Sequence, residues 1–371
     1  METLLEVKHI SVDYYAASGV VHAVTDVSFT LRRGEIFGLA GESGSGKSTL
    51  AYAISHLLNP PAFITGGQVL YYPSTRTDEN SALFFGLGEQ SKEGQPVDVL
   101  QLRPRQLRAF RWNDMAIVFQ SAMNALNPVM AIGDQITDVL RAHRPDMNRQ
   151  ARRERALELL HLVGIAPDRL KSYPHELSGG MRQRAVIAIA LALSPDVIIM
   201  DEPTTALDVV VQREILGEII RLRDQLHFSV IFITHDLSLL LELADNVAIM
   251  YAGRIVEQAS QRDLYQRPCH PYSYGLIHSF PSLHGPRRRA SGIPGSPPDL
   301  RELPSGCAFH PRCPLAFSAC AAVLPVLRPI SSETGHQVAC HLYDPQFYAE
   351  PPTTAAIAAR YEARAEGSGV R

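Results

Sequence analysis

A chain of 371 residues, 46% apolar and 20% charged, carries enough apolar material for one large core and a smaller second one. Its formal net charge of −3 offers no general field for a phosphate backbone, so nucleic acid is not expected as a partner. No apolar run approaches the roughly 18 residues needed to cross a bilayer, and the opening residues lack the basic-then-apolar order of a signal peptide, which leads us to expect a cytoplasmic location.

In chain order, residues 4–12 and 27–31 read as short apolar strands, and residues 35–39 as a third that runs into a Gly-rich loop and a helix from Lys47. That order is the mark of an α/β nucleotide fold. Residues 72–98 are polar and weakly periodic, as expected of a surface insertion. Residues 134–162 are helical in pattern, and a further helix is expected over 178–193; together they suggest a helical subdomain over about 121–192. Residues 197–200 and 230–233 are short and almost wholly apolar, as in strands buried on both faces of a parallel sheet. Past residue 260 the texture changes. Pro268, Pro271, Pro281, Pro286, Pro294, Pro297, Pro298 and Pro304 break any long element, so a nucleotide-binding domain over 1–260 is expected to give way to a small irregular domain over 261–345. The triple arginine Arg287, Arg288 and Arg289 reads as a solvated loop, and residues 346–371 as a frayed or disordered tail.

The segment GESGSGKS, residues 41–48, fits the phosphate-loop pattern GxxxxGK[ST] and lies between a strand and a helix, where the pattern has its physical meaning. Gly41, Gly44 and Gly46 let the amides around Ser43 and Ser45 turn toward a phosphate. Lys47 reaches the outer phosphates, and Ser48, followed by Thr49, offers a hydroxyl to Mg²⁺. At the end of the strand 197–200, Asp201 is expected to hold Mg²⁺ and Glu202 to orient and deprotonate an attacking water, since phosphoryl transfer depends on positioning more than on covalent chemistry. His235 closes the strand 230–234 and is placed to hydrogen-bond a γ-phosphate.

The run LSGGMRQ, residues 177–183, narrows this to one family, because it resembles the signature of ABC ATPases. The resemblance implies a P-loop NTPase cassette with a RecA-like core, an antiparallel β subdomain and a helical subdomain. It also implies that Ser178, Gly179 and Gly180 read the ATP held by a partner subunit. By the same resemblance Gln120 is the Q-loop residue, contacting Mg²⁺ and coupling to catalysis; Ala206, Leu207 and Asp208 form the D-loop; His235 is the switch histidine; and Tyr14, next to Tyr15, stacks on adenine. Met181 stands where the family more often has Gln, while the Ser-Gly-Gly phosphate reader is intact. One phosphate loop and one signature imply a head-to-tail nucleotide sandwich with a second cassette.

Two classes of ABC protein compete: a transport motor, and a soluble ATPase acting on DNA, chromosomes or ribosomes. A long heptad insert or a second cassette would mark the latter, and the sequence has neither. Residues 120–130, QSAMNALNPVM, and 270–276, HPYSYGL, resemble the ATPases of oligopeptide/dipeptide importers. That resemblance implies a peripheral protein on the cytoplasmic face of the membrane, a second related ATPase, two permeases and an extracytoplasmic binding protein. Late in the chain Cys307, Cys313, Cys320 and Cys340 suggest a metal clamp, although the spacing lacks the paired CxxC knuckles of ordinary zinc sites. Iron–sulfur ligation, zinc and unliganded thiols all remain open on the residues alone. The family resemblance, through SGCAFHPRCP at 305–314, points to a [4Fe-4S] cluster; on the residues themselves, His310, His336 and His341 flank it, either replacing a ligand or only packing near it, and Cys269, far off in sequence, reads as an ordinary cysteine.

Overall fold

The computed structural model describes residues 2–17, 19–73, 95–120, 125–205, 207–279, 292–330 and 335–367. The triple arginine, Pro281, Pro286, most of the expected insertion, residues 121–124 of the segment after Gln120, and Ala206 lie outside the described residues.

Two long strands open the fold, β1 (Thr3–Ala16) and β2 (Gly19–Arg32), antiparallel and longer than their apolar cores suggested because pairing carries each strand past its buried residues. Then come β3 (Ile36–Ala40), α1 (Lys47–Ile54), β4 (Ala62–Tyr71) and the short β5 (Val97–Asp98). Strands β2, β1, β4 and β5 make an antiparallel four-stranded sheet in that order. After α2 (Pro104–Asn113) and β6 (Met115–Val118), the helical region comprises α3 (Ile132–His143), α4 (Arg149–Leu162) and α5 (Gly179–Ala190). The helical pattern expected to run through 134–162 is two helices. The chain breaks between them at residues 144–148, where Pro145 cannot continue α3 and Asn148 caps α4 by accepting from Ala151 N.

The chain then alternates: β7 (Val197–Asp201), α6 (Val209–Leu226), β8 (Ser229–Thr234), α7 (Leu237–Leu243), β9 (Asn246–Tyr251) and β10 (Arg254–Ser260). Strands β9, β3, β8, β7 and β6 lie parallel in that order. Both faces of this sheet are covered. Ile36, Ala40, Ile198, Met200, Val230 and Phe232 pack into the core shared with the helical region, while the alternate residues Phe37, Leu39, Val197, Ile199, Ile231 and Ile233 pack into the core shared with α1 and the antiparallel sheet. Continuous apolar runs are therefore what each strand needs, and this is why they stood out in the sequence. The register also aligns the carboxyl ends of the strands: Ala40 pairs with Thr234, and Asp201 with Ile233. These ends form the edge at which ligands bind in open parallel sheets.

The C-terminal segment is stitched onto this sheet rather than hung beside it. It contains α8 (Gln261–Gln266), α9 (Pro271–Ile277), α10 (Ser318–Ala322), β11 (Arg328–Pro329), β12 (Gln337–Val338) and α11 (Thr354–Gly367). Glu257 and Gln258 of β10 pair with Val338 and Gln337 of β12, and β11 closes the edge. The tail read as frayed is a helix, α11, because Ile357 and Tyr361 find a buried seat against Tyr274 and the Tyr361 hydroxyl donates to Pro271 O at 2.8 Å. Ala and Glu/Arg composition allows that helix; the docking site makes it stable. No helix among the described residues is long and apolar enough to cross a membrane.

Candidate active site

Residues 41–46 leave β3 and turn into α1 through two points that only glycine accommodates. Gly41 has φ 151° and Gly46 φ 100°, and a Cβ on either would sit 2.3 Å from a backbone oxygen, that of Met250 or Ala23 respectively. Gly46 occupies the N-cap position of α1 and no side chain caps the helix, so its first amides point outward free for an anion. Lys47 is buried. Its Nζ donates to Gly41 O at 2.8 Å, Glu42 O at 2.9 Å and Ser45 Oγ at 3.3 Å, bracing the loop around the ammonium. Burial pushes the Lys47 pKa down, while the carboxylates of Glu202, Asp201 and Glu42 oppose that shift.

The next hydroxyl, Ser48 Oγ, donates to Asp201 Oδ1 at 3.1 Å. Asp201 is fully buried and its other oxygen, Oδ2, has no partner among the described residues. Burial raises its pKa, against the Ser48 hydrogen bond and the Lys47 charge. An orphaned buried carboxylate oxygen beside a serine hydroxyl is costly unless a cation completes it, and hard oxygen donors of this kind suit Mg²⁺.

Glu202 adopts a left-handed backbone, φ 48°, and its N–H donates to Ile233 O at 2.9 Å, which ties the turn to β8. Its carboxylate gathers three groups. Oε2 accepts from Gln120 Nε2 at 3.0 Å and Thr205 Oγ1 at 3.0 Å, and Oε1 lies 3.2 Å from His235 Nδ1. Thus Gln120, Glu202 and His235, distant in sequence, meet at one carboxylate. Thr205 was not foreseen; its only signal is its place three residues after Glu202.

A cleft of about 360 Å³ is lined by Tyr14, Ser43, Lys47, Thr49, Gln120 and Glu202, among others. Tyr14 Oη and Thr49 Oγ1 are 3.3 Å apart, whereas Tyr15 packs edge-on against Phe63 and is half exposed, so the structure separates the two adjacent tyrosines. Leu300, from the C-terminal segment, also lines the cleft and no sequence signal marked it. Ser178, Gly179 and Gly180 do not line it. Ser178 caps α5, accepting from Met181 N at 3.3 Å, and Gly180 packs so tightly that a Cβ would meet Val211 Cγ1 at 2.8 Å. Asp208 caps α6, accepting from Val210 N and Val211 N at 3.1 and 3.0 Å. Within one chain the signature residues and the phosphate loop are therefore apart.

The four late cysteines are free thiols within electrostatic reach of one another, with Cys307 N donating to Cys320 O at 2.8 Å. Burial pushes Cys307 up to about 11 and Cys313 up to about 12, and raises Cys340, while backbone N–H groups of Phe309, Leu315 and Leu342 turned on these three sulfurs pull the other way. The flanking histidines have partners of their own: His310 with Cys307 O, His336 with Glu257, and His341 with Val323 O. Cys269 is not isolated, because its sulfur, Glu257 and His336 lie within 4.8 Å of one another.

Comparison with known proteins agrees with this geometry. Residues 24–205 match the family described as "ABC transporter", and residues 256–320 that described as "Oligopeptide/dipeptide transporter, C-terminal region". The chain is 43% identical over 343 residues to a probable peptide ABC transporter ATP-binding protein of Sinorhizobium fredii, covering 91% of this chain and 95% of that one. It is 41% identical over 348 residues to the dipeptide transport ATP-binding protein DppD of Bacillus subtilis, covering 93% and 96%. Among solved structures it resembles a dimeric, post-hydrolysis ATP-binding cassette bound to ADP and Pi, with TM-score 0.57 and 25% identity over 70% of this chain and 99% of that one. Since the likeness spans both the cassette and the segment after it, the chain belongs to the ABC transporter family, as one of its ATP-hydrolysing ATP-binding proteins.

Proposed function

We propose that this chain is the motor of a peptide importer of the oligopeptide/dipeptide class. The observation that carries the reading is the C-terminal region at 256–320, which matches that class specifically, whereas the cassette alone is common to all ABC transporters. The proposed assembly is peripheral on the cytoplasmic face of the membrane: this chain, a second related ATPase, two transmembrane permeases, and an extracytoplasmic binding protein that hands over the peptide. Nucleic acid has no place in it.

Lys47 and the amides of residues 43–49 bind the phosphates, and Tyr14 stacks on the adenine. Ser48, Asp201 and Gln120 would hold Mg²⁺, which when bound would neutralise charge on the phosphate oxygens. Glu202 accepts the proton of the attacking water, held in line by Gln120, Thr205 and His235, and His235 senses the γ-phosphate. Ser178, Gly179, Gly180 and Asp208 serve the ATP of the partner cassette. Support for that division comes from their distance from this chain's own cleft and from Val209 and Val210, each 69% exposed beside Asp208 where a facing subunit would cover them. Val129, 79% exposed after Gln120, is the matching candidate for permease contact.

Cys307, Cys313, Cys320 and Cys340 would hold a [4Fe-4S] cluster, which when bound staples four segments of a lobe with little core of its own. The reading is supported by the four free thiols lying within electrostatic reach of one another, with backbone N–H groups turned on three of the sulfurs as they would be on ligating thiolates. Affinity purification from native membranes in mild detergent, with mass spectrometry of the co-purifying proteins, tests the assembly. Two polytopic permeases and a second ATPase are expected; recovery of soluble proteins or nucleic acid alone would overturn the transport reading. Iron and sulfide assays on anaerobically purified protein test the cluster, and zinc alone would remove it.

A further inference from the structure

Glu42, the second residue of the phosphate loop, is gripped from the C-terminal segment. Its backbone N–H donates to Tyr272 Oη at 2.9 Å. Its carboxylate receives both arms of Arg312, Nη1 to Oε2 at 2.6 Å and Nη2 to Oε1 at 2.9 Å, across 270 residues of sequence. Arg312 is itself only 5% exposed and held by further partners: Nε donates to Pro294 O at 2.8 Å, Nη2 to Gly295 O at 3.3 Å and Nη1 to Tyr251 Oη at 3.3 Å, and its guanidinium carbon lies 5.7 Å from the Tyr251 ring centroid. A bidentate, charge-assisted pair with a buried guanidinium fixes geometry as well as charge.

The consequence falls on the ATP site. The carbonyl of the same Glu42 accepts from Lys47 Nζ, so holding the residue holds a brace of the lysine. Its carboxylate is also close enough to act on the Lys47 charge, and left bare it would repel a polyphosphate arriving at that lysine. Leu300, from the same segment as Arg312, already lines the cleft. We infer that Arg312 is a positioning residue for ATP binding: it neutralises Glu42 and locks the phosphate loop, so the C-terminal lobe forms a wall of the nucleotide site in its own chain. This holds whichever solute is transported and rests only on the nucleotide-site reading.

The test is the affinity of the full-length chain for MgATP, read by displacement of a fluorescent ATP analogue. Arg312→Gln, which bares the carboxylate, is expected to weaken binding about tenfold. Adding Glu42→Gln to it is expected to restore affinity to within about threefold of the parent, because the repulsion is gone. Parental affinity in Arg312→Gln, or a double variant as weak as the single one, overturns the inference, since a role as lobe cement alone gives no rescue. Should Arg312→Gln fail to fold, amide exchange of the unmodified chain decides. Saturating MgATP is expected to slow exchange at residues 309–313 as well as 42–49, and protection confined to 42–49 overturns the coupling. If Lys47→Ala also leaves MgATP binding intact, the nucleotide-site assignment has failed instead.

Discussion

Replacing Glu202 by Gln separates proton transfer from geometry at this site. In the native chain Oε2 accepts from Gln120 and Thr205, and Oε1 faces His235 Nδ1. A glutamine fits the same space: its amide oxygen takes the two donors, and its NH₂ faces His235 in the tautomer whose Nδ1 accepts. The three neighbours therefore stay in place, and only the ability to accept a proton is lost. General-base catalysis contributes about 10²- to 10⁴-fold, or roughly 3–5 kcal/mol of barrier, so phosphate release in the assembled transporter is expected to fall by that factor. Binding of MgATP is expected to stay within about threefold, and ATP is expected to hold the Glu202→Gln chain and its partner cassette in a lasting sandwich, visible by size-exclusion chromatography. Turnover within tenfold of the parent would refute the role of Glu202, and loss of binding would refute the argument that the glutamine preserves the site.

Lys47→Ala acts earlier in the cycle. It strips the cation from among Asp201, Glu202 and Glu42, and equilibrium titration is expected to show MgATP binding weakened by about 100-fold, following the loss of charge-assisted hydrogen bonds. Asp114 predicts a pH effect: burial next to Asp196 pushes its carboxyl up to about 7, despite the hydrogen bond from Tyr71. A folded-state pKa raised above the unfolded one means the native chain holds the proton more tightly, so this group's contribution is full below about pH 4 and is lost as pH rises through 7. Asp114→Asn is expected to remove that loss, raising Tm at pH 8 by about 2–5 °C while leaving Tm near pH 4 little changed. Tyr361→Ala empties the seat of α11 against Tyr274 and deletes the hydrogen bond to Pro271 O. A cost of about 3–5 kcal/mol to local stability is expected, seen as early proteolysis after residue 350, with the cassette retaining MgATP binding.

The chemistry of this protein was written locally. A strand, six residues of loop and a helix suffice to say that residues 41–48 bind phosphate, because the backbone itself makes the site and glycine is needed wherever a Cβ would strike a neighbouring carbonyl. Strands β7 and β8 were legible for a similar reason: both faces of a parallel sheet are buried, so alternation vanishes and an apolar run ending in Asp201 and Glu202, or in His235, remains. Periodicity said less about where helices stop, hence the unforeseen break between α3 and α4, and nothing about α11, whose stability lies in Tyr274 and Pro271. Only the tertiary structure joined Gln120, Thr205 and His235 at one carboxylate, and set Arg312 on Glu42. Such pairings join segments whose separation in sequence carries no record of their approach. They are decided by which faces two sheets and a C-terminal lobe must bury against each other, and that exists only once the chain has packed.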